Sequence, residues 1–167
     1  MKLHIIGIAS AGKTTLAHSI GARTGVPVFE LDGLAFVDDR WTLRPTDEDA
    51  MLAEIVREAS FITEGGFLGW TEAVFADADA IVWLDPPLSV LTMRHVRRHW
   101  RHPQHLPSLL AFQWRSYLRA AGRGPMRSDP QQTRSGIARA LRPYAAKVYR
   151  IETAVSADDV IDGLAVS

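Results

Sequence analysis

The chain has 167 residues, of which 47% are hydrophobic and 23% are charged, and its formal net charge is zero, the profile of an ordinary globular domain with a substantial core. It has no cysteine, which excludes disulfides, thiolate metal sites and cysteine nucleophiles. No apolar stretch reaches the length of a membrane span. We therefore expect one cytoplasmic domain over residues 1–167, with no membrane association; monomer and homodimer both stay open.

The first elements alternate between strand and helix. The run Leu3–Ile8 is almost entirely apolar, which is typical of a buried parallel strand. A helix is predicted from Lys13, and Gly25 is its stop signal. The next strand is predicted at Val26–Leu31, where Pro27 favours an edge of the sheet because proline cannot donate a ladder hydrogen bond.

Two more strands follow in the middle of the chain. After a predicted loop over residues 32–45, Thr46 is the expected N-cap of a helix whose first turn is acidic. Short buried strands are predicted at Phe61–Thr63 and Ala80–Leu84. A helix over residues 86–102 follows, and the two prolines with which it begins suit a first helical turn.

The last part of the chain completes the alternating pattern. The apolar side of the next predicted helix, which ends at Gly122, consists of Leu110, Trp114, Tyr117, Leu118 and Ala121. The segment Arg123–Arg134 is predicted to be a mobile loop. Val148–Ile151 alternates as a half-exposed edge strand does, and Ser156 caps a last helix. Five strands alternating with helices predict an α/β domain with a parallel sheet.

Residues 7–14 carry the sharpest motif. Their sequence, Gly-Ile-Ala-Ser-Ala-Gly-Lys-Thr, matches G-x-x-x-x-G-K-[ST] without a mismatch, directly after a predicted buried strand and directly before a predicted helix. The two glycines let the backbone curl closely around a ligand, so that N–H groups and the positive end of the helix meet phosphates. An ordinary glycine-rich turn is the alternative, and the strand-loop-helix context argues against it.

The motif assigns binding roles to individual residues. Lys13 would reach the β- and γ-phosphate oxygens of a nucleoside triphosphate, and the Thr14 hydroxyl would ligate Mg²⁺. The predicted ligands are ATP and Mg²⁺, with GTP left open. The residues predicted to bind the nucleotide are Gly7, Ala9, Ser10, Ala11, Gly12, Lys13, Thr14, Thr15 and, from a basic segment over residues 94–142, Arg139.

Three acids are expected at the carboxyl ends of strands, where ligands collect in a parallel sheet. Glu64 ends an apolar strand, which is the placement of an acid that holds Mg²⁺; a solvated glutamate is the alternative. Asp32 is a candidate to accept a proton from an acceptor hydroxyl, and a turn aspartate fits equally well. Asp85 is interpreted as a cap of the helix that follows it.

The charge of the chain is segregated although the total is zero. Residues 94–142 contain eleven arginines, no lysine and one acid, Asp129. Spacing by i, i+3, i+4 and i+7 places four of them on one helix face: Arg94, Arg97, Arg98 and Arg101. Such cations can stabilise the charge of a transferring phosphoryl group, and a solvated face or a nucleic-acid surface is the alternative. The catalytic candidates are Lys13, Asp32, Glu64, Arg94 and Arg98, and the metal ligands are Thr14 and Glu64.

Four histidines near these arginines resemble a metal cluster by their spacing: His95, His99, His102 and His105. We interpret them as surface residues because a divalent cation is poorly placed among so many positive charges. The five tryptophans are interpreted mostly as core or pocket wall.

The sequence resembles the adenylate-kinase-related P-loop proteins. Residues 5–17, Val28–Asp32 and Ile81–Asp85 carry the resemblance in this order, and more narrowly it is similar to small bacterial proteins labelled DNA topology modulation proteins. The resemblance implies a three-layer α/β/α fold with a nucleoside-monophosphate-kinase-like sheet of order 2-3-1-4-5. It also implies an acceptor-binding region at about residues 32–59 and an arginine-bearing lid at about residues 94–142.

The expected function follows from the motif and this resemblance. It is ATP- and Mg²⁺-dependent transfer of a phosphoryl group to a small acceptor, either nucleoside-like or another hydroxyl compound. Adenylate kinases carry a Pro-Arg pair after the third strand, where this chain continues from Glu64 without one, so an arginine for an acceptor phosphate is missing. A nucleotide-binding regulatory protein associated with nucleic acid is the alternative, and simple ATP hydrolysis ranks third.

Overall fold

The computed structural model describes residues 1–31, 48–65, 72–100, 106–118 and 133–165. Its strands are β1 (Lys2–Gly7), β2 (Val28–Glu30), β3 (Phe61–Glu64), β4 (Ala80–Leu84) and β5 (Val148–Ile151). Its α-helices within those ranges are α1 (Lys13–Thr24), α2 (Glu48–Arg57), α3 (Glu72–Asp77), α4 (Leu88–His99), α5 (Leu106–Leu118), α6 (Arg134–Ala140) and α7 (Ala157–Ala165). A 3₁₀ segment over Arg142–Lys147 leads into β5.

The five strands form one parallel sheet in the order β2-β3-β1-β4-β5. β1 is central, with β3 on one side and β4 on the other. These three strands are buried almost throughout, which explains why they read as continuous apolar runs rather than as an alternation. The predicted α/β fold and its strand order are confirmed.

The edge strands are correspondingly less buried. β2 begins directly after Pro27 and lies at one edge, where a residue without an N–H group is tolerated, as predicted. β5 lies at the other edge, and Arg150 is its exposed residue. The half-exposed edge strand predicted at Val148–Ile151 is also confirmed.

Helix α1 packs against the sheet through the predicted apolar stripe of Leu16, Ala17 and Ile20, all buried. Burial of one large apolar side chain contributes about 2 kcal/mol to stability, so this stripe anchors the start of α1 against β1 and β3. The helix ends at Gly25, whose φ of 72° is the left-handed conformation of a glycine C-cap. The stop signal is confirmed.

Helices α4 and α5 differ from their predictions. α4 begins at Leu88, with Pro87 as its N-cap, so the prolines precede the helix. On α5, Trp114 and Leu118 of the predicted apolar side are 49% and 64% exposed. Gln113 is fully buried, and its amide nitrogen donates to the Leu91 carbonyl of α4 at 3.1 Å. Among the helices of the described ranges, none has the length and hydropathy needed to cross a bilayer.

Candidate nucleotide-binding site

The loop between β1 and α1 has the tight backbone that its motif predicts. An added Cβ at Gly7 would lie 2.6 Å from the Leu84 carbonyl oxygen, so only glycine fits beside β4. Gly12 has a φ of 103°, which glycine adopts without cost. Ser10 also has a positive φ, 66°, a conformation that costs a residue with a side chain about 1 kcal/mol. The strain at Ser10 has no signal in the motif.

The loop delivers the chain to a helix end suited to anions. Gly12 is the N-cap of α1 and makes no side-chain capping hydrogen bond, and the first turn contains no acid. First-turn N–H groups have no acceptor within their own helix, and the helix dipole adds positive potential there. Lys13, the first helical residue, contributes a full positive charge. The backbone and the side chain are therefore both suited to bind an anion.

Thr14 and Glu64 are joined by a hydrogen bond beside the loop. The Thr14 hydroxyl Oγ1 donates to Glu64 Oε1 at 2.8 Å, and Glu64 is only 3% exposed at the end of β3. A hydroxyl and a carboxylate are the hard oxygen ligands that Mg²⁺ takes in proteins. No group of three or more His, Asp or Glu side chains among the described residues could hold a metal alone. These residues fit a Mg²⁺ ion that shares phosphate oxygens, its usual arrangement in nucleotide sites.

A cleft of about 800 Å³ opens over the loop, within the size range of small-ligand pockets. One wall is formed by Ser10–Leu16, and a second by Arg94 and Arg98 of α4. The segment from β5 to α7 forms a third, with Ile151 and Thr153–Asp158. The remaining lining residues are Ser19, Arg23, Leu84 and Pro86. The cleft thus lies at the carboxyl ends of β1, β4 and β5, the edge at which open parallel sheets bind ligands.

The arginines predicted to share one face of α4 have different surroundings in the structure. Arg94 Nη1 donates to the Ala11 carbonyl at 2.6 Å, so its guanidinium lies directly on the loop. Arg98, one turn further on, lines the cleft. Arg97 is exposed and is not among the cleft residues, while Arg101 lies outside the described ranges.

Asp85 is not a helix cap, which corrects the sequence interpretation. Its carboxylate is 2% exposed; Oδ1 accepts from Arg134 Nε at 2.7 Å, and Oδ2 accepts from Arg150 Nε at 2.9 Å and Nη2 at 2.5 Å. The N-cap of α4 is Pro87, without a side-chain cap. Because β5 pairs with β4 so that Arg150 lies beside Trp83, its guanidinium reaches the carboxylate at the strand end. A buried charge requires such partners.

The interpretation of His95 as a surface residue is also wrong. Its side chain is buried, with the residue 4% exposed, and Nδ1 lies 2.8 Å from Ser10 Oγ. Its ring packs against that of His99 at a centroid distance of 4.7 Å. Burial lowers the pKa of His95, and the nearby His99 and Arg98 lower it further, so the ring is neutral at pH 7. α4 packs this side onto the loop, which helical spacing did not reveal.

The structure describes only some of the remaining residues singled out in the sequence. Asp32, His102 and His105 lie outside the described ranges. Arg139 is exposed on α6 and is not among the residues that line the cleft. Gly7 shapes the loop from below and Ala9 is exposed.

The sequence reasoning also missed part of the cleft. Arg23 of α1 and Asp158 of α7 form an ion pair at its far end, and Thr153–Ser156 line it beside them. The strand-end rule, applied to Ile151 as it was to Glu64, would have pointed to this segment because β5 ends at the same edge of the sheet.

Comparison with known proteins defines the fold. A gluconokinase from Sinorhizobium meliloti 1021 superposes with a TM-score of 0.61 at 18% identity, over 99% of this chain and 91% of that one. A shikimate kinase from Acinetobacter baumannii, solved with shikimate, superposes with a TM-score of 0.51 at 16% identity, over 98% and 89% of the two chains. The sequence matches no family model and no curated protein. The chain therefore has the fold of the small P-loop kinases, and the narrower resemblance to DNA topology modulation proteins is not confirmed.

Proposed function

We propose that this protein is a kinase that uses ATP and Mg²⁺ to phosphorylate a hydroxyl group of a small molecule. The observation that supports it most is the hydrogen bond of 2.8 Å between Thr14 and Glu64. It lies beside the loop of residues 7–14, termed the phosphate loop, and at the edge of a sheet with the strand order of the P-loop kinases. A loop that only formed a turn would not need a buried carboxylate beside its threonine, because burying that charge is costly.

The loop residues have distinct roles in this proposal. Lys13 and the N–H groups at the start of α1 bind the β- and γ-phosphates and draw negative charge away from the bond that breaks. Thr14 and Glu64 would hold Mg²⁺, which when bound neutralises phosphate charge as a Lewis acid. Thr15, in the same first turn, lines the cleft next to them. Lys13, Thr14 and Thr15 begin the helix that follows β1, and Glu64 ends β3, so two central strands fix the positions of these groups.

We assign Asp32 the role of general base for the acceptor. β2 runs parallel to β3 with Glu30 in register with Glu64, so both strands end at the same edge of the sheet. Asp32 follows that end by two residues. In this role it takes the proton of the acceptor hydroxyl as the oxygen bonds to the γ-phosphorus and ADP departs.

The arginines of α4 complete the charge balance. Arg98 lines the cleft, where it would meet oxygens of the transferring group. Arg94 holds the loop at Ala11 from the same helix. Further along, Arg134 is bound to Asp85. Two arginines of the basic segment are thus bound within the protein, which favours a phosphate-site role for the segment over a nucleic-acid surface.

A coupled assay of ADP release across possible acceptors tests the proposal. Nucleosides, nucleotides, sugars, small alcohols and polyhydroxy acids form the panel, with gluconate and shikimate included because the similar structures are kinases named for them. One acceptor class should accelerate ADP release, and Lys13→Ala should reduce that rate by about 10³-fold.

Lys147→Arg is the matched control. Lys147 binds the carbonyl oxygens of Ala76 and Ala78 and is not among the cleft residues, so its variant should keep the wild-type rate. ADP release that no acceptor accelerates, or that Lys13→Ala leaves intact, contradicts the proposed kinase.

A further inference from the structure

Helix α4 contacts the phosphate loop through two successive residues. Arg94 donates to the Ala11 carbonyl at 2.6 Å, and His95 Nδ1 lies 2.8 Å from Ser10 Oγ. The two loop residues in these contacts, Ser10 and Ala11, are also adjacent, so one turn of α4 binds one short segment of the loop. The contact between His95 and Ser10 involves none of the metal ligands or cations assigned above.

Ser10 is where the loop is least stable on its own. Among the described residues, it is the one non-glycine residue with a positive φ, at 66°. Left-handed backbone is disfavoured roughly tenfold for a residue with a side chain. The loop passes through this turn on its way to Gly12 and α1, so relaxation at Ser10 would displace the N–H groups that follow it. A site that binds phosphates through fixed N–H groups needs this turn to be held.

The surroundings of His95 suit it to stabilise the turn at Ser10. The side chain is buried, and Nε2 has no hydrogen-bond partner within the described ranges, so Ser10 is the partner that orients the ring. A buried position that served only for packing would favour an apolar residue, since a buried polar atom without a partner is destabilising. The polar ring is accounted for by its contact with the loop.

We propose that His95 is a positioning residue for nucleotide binding. By holding the Ser10 hydroxyl, it stabilises the left-handed turn that fixes the phosphate loop. Its effect on ATP affinity rests on the proposed function, whereas its effect on the loop does not.

Substitutions at Ser10 separate this role from direct phosphate binding by the hydroxyl. Ser10→Ala loses the hydroxyl but keeps the unfavourable φ, whereas Ser10→Gly loses the hydroxyl and removes the penalty. If His95 acts through the turn, Ser10→Ala and His95→Ala should each weaken Mg·ATP binding about tenfold, the effect of one lost hydrogen bond. Ser10→Gly should stay within about threefold of wild type, and adding His95→Ala to it should weaken binding less than twofold further.

The conservative variant His95→Asn places a polar atom where Nδ1 lies and should recover most of the affinity. His18→Asn is the matched control, because His18 is exposed and pairs with Glu30 away from the cleft. The shift should appear in the dissociation constant and KM for ATP, with kcat at saturating ATP changed much less.

Calorimetry for affinity and thermal unfolding without nucleotide are the two measurements. Without nucleotide, Ser10→Ala and His95→Ala should each lower Tm by about 3 °C, the double variant should lower it no further, and Ser10→Gly should recover most of the loss. Because this cycle needs no ligand, it decides whether His95 stabilises the turn at Ser10 even if the wild-type protein binds no ATP. Absence of ATP binding would contradict the proposed function and leave the effect on the loop to be judged by this cycle. Equal losses for Ser10→Ala and Ser10→Gly, or additive losses in the double variant, overturn it.

Discussion

Two buried carboxylates end the two strands that flank β1, and their surroundings differ. Glu64 ends β3 and is 3% exposed; Asp85 follows β4 and is 4% exposed. Glu64 accepts a hydrogen bond from the Thr14 hydroxyl beside the phosphate loop. Asp85 accepts from two guanidinium groups, those of Arg134 and Arg150.

Equivalent places in a sheet therefore do not imply equivalent roles. A carboxylate bound by two arginines has its charge compensated within the protein. Here it joins the end of β4 to the two elements that supply the arginines, β5 and α6. A carboxylate that accepts a hydrogen bond from a hydroxyl proposed as a Mg²⁺ ligand is suited to share that metal. We infer that Glu64 serves the reaction and that Asp85 serves the fold.

The largest effect is expected for Glu64→Gln. The amide oxygen can still accept from Thr14, so the fold is kept, but the negative charge that would hold Mg²⁺ is lost. The phosphoryl-transfer rate should fall roughly 10²–10³-fold while Tm stays within about 2 °C of wild type. Steady-state kinetics and thermal unfolding check this, and a rate within tenfold of wild type would contradict the catalytic role.

The opposite pattern is expected for Asp85→Asn. Its two arginine partners are 35% and 42% exposed at their side chains, so solvent weakens the ion pairs, and the free energy of unfolding should fall by about 2 kcal/mol. Glu152→Gln is the control, because Glu152 binds the same Arg150 at 2.8 Å but is 58% exposed. It should cost less than about 0.5 kcal/mol in urea unfolding. Equal losses for the two variants would refute the structural role of Asp85.

A third buried polar group, His4, contributes to stability independently of both carboxylates. His4 is fully buried in β1, with Nδ1 2.9 Å from Thr63 Oγ1, and burial, followed by the charge of Lys13, lowers its pKa from 6.5 to about 3. Below pH 6.5 the unfolded chain binds a proton that the folded protein does not. Stability is therefore complete above pH 6.5 and falls as the pH drops toward 3, by about 1.4 kcal/mol per pH unit.

His4→Leu should flatten this acid limb. At about pH 5 the wild-type protein should have lost about 2 kcal/mol relative to neutral pH through this histidine, and the variant should lack that part of the loss. The Thr63 hydroxyl can still donate to the Leu3 carbonyl, which limits the damage of the substitution. Urea unfolding across pH measures it, and parallel curves for the two proteins would contradict the assignment.

The smallest effect is expected for Arg139→Ala. Arg139 is exposed and does not line the cleft, whereas Arg98 does. KM for ATP should change less than twofold for Arg139→Ala, as for most exposed substitutions. By contrast, kcat/KM should fall at least tenfold for Arg98→Ala. A larger effect of Arg139→Ala than of Arg98→Ala would restore the nucleotide-binding role predicted from its sequence.

Much of the fold and the centre of the site are visible in the sequence because they depend on local patterns. Strand-length apolar runs located β1, β3 and β4, and the motif at residues 7–14 placed the loop between β1 and α1. Glu64 lies 50 residues from Thr14, but its position follows from a local pattern, an acid at the end of an apolar strand, together with the rule that a parallel sheet collects its strand ends at one edge. Each of these inferences therefore starts from a pattern within a short segment of the chain.

The misassigned residues depend on contacts between distant segments. Asp85 is bound by arginines 49 and 65 residues further along the chain, and neither pairing has a local signature. His95 lies 85 residues from Ser10, and its spacing groups it with three other histidines near the arginines. Tertiary packing decides which side of α4 is buried, and spacing alone gives only the set of residues that share a side.

Calorimetric titration with Mg·ATP tests the central claim most directly, because every assigned role depends on a phosphate loop that binds a triphosphate. The account predicts saturable binding by the wild-type protein, weakened about 100-fold by Lys13→Ala at an unchanged Tm. Folded wild-type protein that binds neither ATP nor GTP in the presence of Mg²⁺ would contradict it.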